Sequence, residues 1–277
     1  MSSHPHLSPQ PVDLLILGLG WCGAYITRLL TTLSVPHAAT TTTGRDNTIS
    51  FTFNPDSDDA EPYKALPRAT TVIITFPVRT SPAIRRLVTL YETTVNMKPN
   101  WILLGSTRPW APAPTADSFI WLDRHSQPTP TTDAPRQAAE SELLTHGGCI
   151  LNLAGLYGGT RDPRSWVARV AATKDTLAQK GSLHLIHGAD VAHAVLAVMN
   201  NFTPAQRWLL TDMRVYDWWD LAAQWSIDPH ATWVRELMTA GKVRALPRPA
   251  TDLGRAIDST EFWETFGIVP QHPSLTL

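Results

Sequence analysis

Gly18-Leu19-Gly20-Trp21-Cys22-Gly23 follows immediately on the apolar run Leu14-Leu15-Ile16-Leu17, and this order of strand then glycines decides the fold. In Gly-x-Gly-x-x-Gly the first glycine permits a tight turn. The second lets a pyrophosphate approach the backbone, and the third lets a helix pack closely on the preceding strand. A continuous apolar run fits a strand covered on both faces of a parallel sheet. The helix predicted next carries Ile26, Leu29, Leu30 and Leu33 at helical spacing, with Thr27, Arg28 and Thr31 between them. Its N-terminus offers N–H donors and a positive dipole end. Gly18, Gly20, Trp21, Cys22 and Gly23 are therefore the expected phosphate loop of a bound dinucleotide; the alternative use of such glycines is a bare tight turn.

Working outward, similar runs recur at His37 to Thr43, Ile49 to Phe53, Thr71 to Phe76, Trp101 to Leu104 and Cys149 to Leu153. They are separated by segments long enough for helical crossovers. This alternation predicts an α/β fold, a doubly wound parallel Rossmann sheet with a small C-terminal substrate lobe. A run at Leu183 to Ile186 precedes a helix expected near Asp190, which suits its N-terminal cap or first turn. Residues 1–11 read as a disordered arm and 12–277 as one Rossmann-type domain. Within it, the core is expected over about 12–160 and 182–200, and the substrate lobe over about 161–181 and 201–277.

Composition restricts the function classes. The chain has 277 residues, 43% of them hydrophobic, enough to bury a large core. With 23 Lys+Arg against 24 Asp+Glu the formal net charge is −1, so no global field exists to hold nucleic acid or an anionic membrane. A small-molecule partner is the expectation. The two cysteines, Cys22 and Cys149, form neither a CxxC pair nor a disulfide ladder, which suits the reducing cytoplasm. No apolar run approaches the ~18 residues needed to span a bilayer.

The choice of dinucleotide turns on the end of the second strand, about 20 positions past the glycines. An NAD site usually has Asp or Glu there for the ribose 2′-hydroxyl. Here the strand closes as Thr40-Thr41-Thr42-Thr43-Gly44-Arg45. No acid ends the strand, and a cation follows that can accept a 2′-phosphate. NADP is thus expected ahead of NAD, with Thr43 and Arg45 at the 2′-phosphate; a solvated loop cation is the other reading of Arg45.

Several segments together resemble the extended and atypical branches of the short-chain dehydrogenase/reductase superfamily, in particular small NAD-dependent epimerase/dehydratase-like proteins. Leu17 to Gly23 looks like their cofactor loop. Ile73-Ile74-Thr75-Phe76-Pro77 is similar to the fourth strand and its turn, which implies cofactor contacts from Phe76 and Pro77. Leu103-Leu104-Gly105-Ser106-Thr107 is similar to the fifth strand ending in the catalytic hydroxyl, here Ser106. Leu153 to Arg161 and Ile186 to Ala192 match two later segments in the same order.

The resemblance implies a Tyr-x-x-x-Lys pair in which lysine lowers the tyrosine pKa so that the phenol exchanges a proton as hydride moves. The family spacing places those positions at Thr132 and Arg136, and both differ. Threonine has no ionisation near neutral pH, and arginine is effectively always protonated. Arg136 is left to hold a ribose or a substrate carboxylate, or to pair with Glu140 at i,i+4. Tyr157, at the carboxyl edge of the sheet, is the candidate replacement acid.

His125, His184, His187 and His193 are further acid–base candidates, and Asp123 lies where related enzymes carry an acid over the substrate. His184 and His187, three apart on an expected strand, face opposite sides, so no metal site is expected. Trp110, Trp121, Trp166, Trp218 and Trp219 would form an aromatic pocket if they line the cleft, and are core otherwise. The function expected is an NADP-dependent oxidoreductase acting on a carbonyl or activated double bond in a hydrophobic small molecule. A redox-neutral dehydratase, isomerase or cyclase and a non-catalytic NADP-sensing regulator are the alternatives.

Overall fold

The computed structural model describes residues 10–110, 119–129, 133–225 and 228–275. Its central sheet comprises β1 (Val12–Leu17), β2 (His37–Thr41), β3 (Ile49–Ser50), β4 (Ala69–Ile74), β5 (Asn100–Ser106), β6 (Cys149–Leu153) and β7 (Arg207–Leu210), in the order β7-β6-β5-β4-β1-β2-β3. The pairs β1–β2, β1–β4, β2–β3 and β4–β5 are parallel. Ile150 N–H donates to Gln206 O and Ala154 N–H to Leu210 O, the equal step of a parallel pair at the far edge. Strand order reverses between β1 and β4, where open α/β sheets bind ligands at the carboxyl ends of their strands. The expected doubly wound parallel sheet is the observed one.

Leu14 through Leu17 have no exposed surface. Burying each such side chain is worth about 1.5–3 kcal/mol, which is why four apolar residues in succession fix a central strand. The run pairs in register with β2 through Leu14–His37 and with β4 through Leu14–Thr71. After it, α1 (Trp21–Thr32) buries Gly23, Ile26 and Leu30. Leu33, expected on that stripe, is 49% exposed and caps the helix. The turn closes first because Val35 N–H returns to Leu30 O.

The first of two compact units spans Met1–Ser106, Pro130–Asn152 and Val191–Trp208. Its core joins Leu15, Leu17, Val72 and Ile74 to Ile84, Leu87 and Tyr91 of α2 (Ser81–Val95) and to Ala139 and Leu143 of α3 (Ala134–Thr145). Polar contacts tie α2 to α3: Thr80 N–H donates to Pro135 O, Ser81 Oγ to Ala138 O, and Arg85 pairs with Glu142 at 2.9 Å.

The second unit spans Thr107–Thr129, Leu153–Asp190 and Leu209–Leu277. Gly155–Tyr157 pairs in parallel with Leu185–His187, and Ile120–Leu122 with Arg255–Ile257; Ser182–Leu183 pairs antiparallel with Tyr216–Asp217. The run Leu183 to Ile186, expected as one strand, is divided at His184. Its buried Nε2 accepts Ile257 N–H at 2.9 Å, so the chain turns there to satisfy an imidazole inside the unit. The helix expected near Asp190 is α4 (Gly188–Asn200), with Asp190 in its first turn.

Trp110, Trp218 and Trp219 are buried, as core residues rather than cleft surface. Trp219 packs with Ala171, Leu177 and Val234, and Arg248 lies 3.9 Å over its ring while pairing with Asp217. Among the described residues no helix is long and apolar enough to cross a membrane.

Candidate cofactor site

The glycine loop divides its labour as the spacing predicts. Gly18 has φ +98°, and a Cβ there would lie 2.9 Å from Thr75 Oγ1, so only glycine serves. At Gly23 a Cβ would meet Gly18 O at 2.8 Å, the close approach of helix to strand. Gly20 is the opposite case: a Cβ would meet nothing within 4 Å, because the backbone faces open space.

Threonines fix this loop. Gly18 N–H donates to Thr40 Oγ1 at 2.9 Å, Leu19 N–H to Thr40 O at 2.6 Å, and Thr75 Oγ1 to Gly18 O at 2.6 Å. Thr40 and Thr75 end neighbouring strands on either side of β1, so the turn is clamped from both. Sequence reading assigned neither of them a role. Thr75 carried a signal, a hydroxyl between apolar Ile74 and Phe76, whereas Thr40 was one of four successive threonines.

In front of the loop lies a cavity of about 580 Å³. Gly18, Leu19 and Gly20 line it at the end of β1, Thr40 to Thr42 with Arg45 at the end of β2, and Phe76 to Arg79 after β4. Phe51 and Phe53 complete an aromatic wall, with Phe53 and Phe76 stacked at a centroid distance of 6.1 Å. Of the expected cofactor residues, Gly18, Gly20, Arg45, Phe76 and Pro77 line this space. Trp21, Cys22, Gly23 and Thr43 do not, since the helix carries the first three past the loop and Thr43 projects outward in an exposed turn.

The charge of this lining is one-sided. Among the described residues it includes two guanidinium groups, Arg45 and Arg79, and no carboxylate. Arg79 went unnoticed in the sequence because it lies two residues past Pro77, beyond the matching segment. Arg45 pairs with Asp46, but both side chains are more than 60% exposed (61% and 66%), so the pair is worth about 0–1 kcal/mol and yields to a better anion. The Arg45 carbonyl accepts Thr48 N–H at 3.0 Å, which holds the loop's backbone. Arg79 contacts Asp133 at 3.3 Å with 58% of its side chain exposed.

The residues proposed for chemistry are placed differently. Thr132 lies outside the described residues. Arg136 Nη2 donates to Leu104 O at 3.0 Å, and its Nε lies 3.6 Å from Glu140 Oε1. Glu140, 1% exposed, also accepts from Arg207 at 2.6 Å and from Asn152 Nδ2 at 3.0 Å, and Asn152 Nδ2 lies 3.1 Å from Ser106 O. Arg136 therefore belongs to a buried network that braces the end of β5, with Ser106 half-buried at its tip. The i,i+4 pairing with Glu140 is what the structure contains.

Tyr157 is 3% exposed, and its hydroxyl donates toward His272 O at 3.3 Å and Ser274 O at 3.2 Å. Burial pushes its pKa up, and the carboxylates of Asp212 and Asp190 push it further. A family tyrosine needs the opposite shift. Asp123 is a turn acid, held below its usual range by Ser126 and His125 against the effect of its own burial. His125 is exposed and contacts Glu261 at 2.9 Å.

No protein-family model matches this chain, and no curated protein matches its sequence. Solved structures do match its fold. A conserved protein of unknown function from Silicibacter pomeroyi superposes with TM-score 0.63 at 18% identity, covering 95% of each chain. Thermus thermophilus UDP-glucose 4-epimerase in complex with NAD gives 0.61 at 14% identity, covering 93% of this chain and 94% of that one. Yeast methylglyoxal/isovaleraldehyde reductase complexed with NADPH gives 0.61 at 12%, covering 93% of each. The chain has the fold of these epimerase and reductase structures, one of which holds NAD and another NADPH.

Proposed function

We propose that this chain binds NADP(H) and is an NADP-dependent oxidoreductase of the atypical short-chain type, acting on a carbonyl or activated double bond of a hydrophobic small molecule. The observation that carries the reading is the cavity before Gly18 and Gly20, whose lining holds two arginines and, among the described residues, no acid. Open space at Gly20 suits a pyrophosphate, the aromatic wall suits a base, and Arg45 at the end of β2 suits a 2′-phosphate. When bound, the nicotinamide supplies or accepts a hydride.

The chain's own residues hold and orient. The glycine loop brings a pyrophosphate up to the N-terminal end of α1, whose dipole favours an anion, Arg45 neutralises the phosphate, and Ser106 at the tip of β5 offers a hydroxyl to a substrate oxygen. This reading does not use Tyr157 as the proton donor, because its hydroxyl is engaged with two carbonyls. That engagement, together with that of Arg136, also favours a second reading, in which NADP is held without redox turnover by a redox-neutral enzyme or a sensor. A cytoplasmic setting suits either reading.

Tryptophan fluorescence titrated separately with NADPH and NADH tests the proposal. It expects saturable quenching by NADPH at concentrations where NADH has little effect. Failure to bind either refutes it. Incubation with cell extract, followed at the nicotinamide absorbance, then separates the two readings: NADPH consumption supports the oxidoreductase, and steady absorbance with saturated binding supports the second.

A further inference from the structure

In the second unit, His187, Asp190 and His272 bring three potential ligand atoms within 4.8 Å of one another. Each comes from a different place: His187 ends a short strand, Asp190 lies in the first turn of α4, and His272 belongs to the C-terminal segment. Asp190 is 1% exposed, and its two oxygens accept the backbone N–H groups of Gln271 and His272 at 2.7 and 3.1 Å. The segment is further held by Tyr157, by Arg214 on Pro273 O, and by Tyr216, whose hydroxyl accepts Leu275 N–H at 2.9 Å. These contacts fix the main chain around His272 without using its ring nitrogens.

The ring itself is the anomaly. His272 Nδ1 is shielded from solvent and has no hydrogen-bond partner. Its nearest carboxylate oxygen, Asp190 Oδ2, is 3.6 Å away, beyond hydrogen-bond range. Two ligands on one tetrahedral zinc, each bonded at about 2.0–2.1 Å, stand roughly 3.4 Å apart. The imidazoles of His187 and His272 are stacked with centroids 3.7 Å apart, and Ala189 N–H donates to His187 Nδ1 at 3.2 Å. The carboxylate already carries backbone hydrogen bonds of the kind that orient metal-bound carboxylates.

We propose that His187, Asp190 and His272 form a binding site for a divalent transition metal of the zinc type, with water completing the coordination, and that the metal pins the C-terminal segment to the second unit. Two imidazoles and a carboxylate are the ligand set that zinc takes with one position left open. Binding requires the two stacked rings to turn until a nitrogen of each converges with the carboxylate, and it leaves the backbone contacts of Asp190 in place.

The full chain, stripped with chelator and dialysed, is titrated with Zn²⁺ by calorimetry, and its melting temperature is followed in parallel. One zinc per chain and a raised melting temperature are expected. His272→Phe keeps a ring to stack on His187 but removes the nitrogens; it is expected to melt at the apo temperature of the unaltered chain and to bind zinc about a hundredfold more weakly. No uptake by the unaltered chain, or equal affinity in His272→Phe, overturns the site. Should the variant not fold, Co²⁺ added to the unaltered chain decides: intense tetrahedral d–d bands support the proposal, and the weak spectrum of octahedral Co²⁺ overturns it.

Discussion

Replacing Gly20 with alanine separates the role of the glycine loop in folding from its role in binding. Gly20 has φ −88° and ψ −162°, a conformation open to any residue, and the new methyl meets no atom within 4 Å. At this N-cap position alanine is poorer than glycine by about 1 kcal/mol, and the stiffer unfolded chain returns about 0.4–1 kcal/mol. Folding stability should therefore be nearly unchanged. The methyl nonetheless stands where a pyrophosphate must approach the backbone. Losing one charge-assisted N–H contact costs about 1.5–3 kcal/mol, or roughly a ten- to hundredfold weaker NADPH complex.

Gly23→Ala is the contrasting control, because its Cβ would press on Gly18 O at 2.8 Å and overpacking of this kind costs about 1–3 kcal/mol. Thermal melts without ligand and fluorescence titrations with NADPH report the two quantities. Gly20→Ala should lose binding and keep its melting temperature, whereas Gly23→Ala should lose melting temperature. A Gly20→Ala protein binding NADPH within about twofold of the unaltered chain would falsify the assignment of the loop to a pyrophosphate.

Three further outcomes are expected. Glu140→Ala strands Arg207 in the buried network, a loss of about 3–5 kcal/mol, so its melting temperature should fall by on the order of 10 °C; an unchanged melt contradicts the network's role. Tyr157→Phe gives up contacts to two carbonyls worth about 1 kcal/mol and should bind NADPH normally, whereas a loss of turnover with an unchanged melt would restore Tyr157 as proton donor. Stability should respond to pH through opposed groups, among them His184 and Asp212. Burial, helped by Arg255, lowers His184 to about 3, so its contribution is complete above pH 6.5 and is lost as pH falls toward 3. Burial raises Asp212 to about 7, so its contribution is complete below pH 3.8 and is lost as pH rises through 7. His184→Asn should therefore gain less stability with rising pH between 4 and 7 than the unaltered chain in chemical denaturation; an unchanged profile contradicts the assignment.

What the sequence disclosed follows the range of the forces involved. The four apolar residues of β1 and the three glycines after them act over a few positions, and their pattern states their environment. Arg136 and Glu140, one helical turn apart, were equally legible as a pair. The third member of their network, Arg207, lies 67 residues beyond Glu140 and carries no local mark. Tyr157 looked available at a strand end because the carbonyls that engage it are 115 and 117 residues away. His184 broke an apparent strand for the same reason, its partner being the backbone of Ile257. Arg79 is a subtler omission: a cation three residues past a strand is common, and only the clustering of strand ends turns it toward the same cavity as Arg45.

The central claim is that the two arginines select a 2′-phosphorylated dinucleotide. The most direct measurement is the affinity of the Arg45→Ala, Arg79→Ala double variant for NADPH and for NADH, set beside those of the unaltered chain by calorimetry. Loss of charge-assisted contacts worth about 1.5–3 kcal/mol predicts a ten- to hundredfold weaker NADPH complex, with the NADH affinity nearly unmoved. Equal losses for both cofactors, or no loss for either, would contradict it.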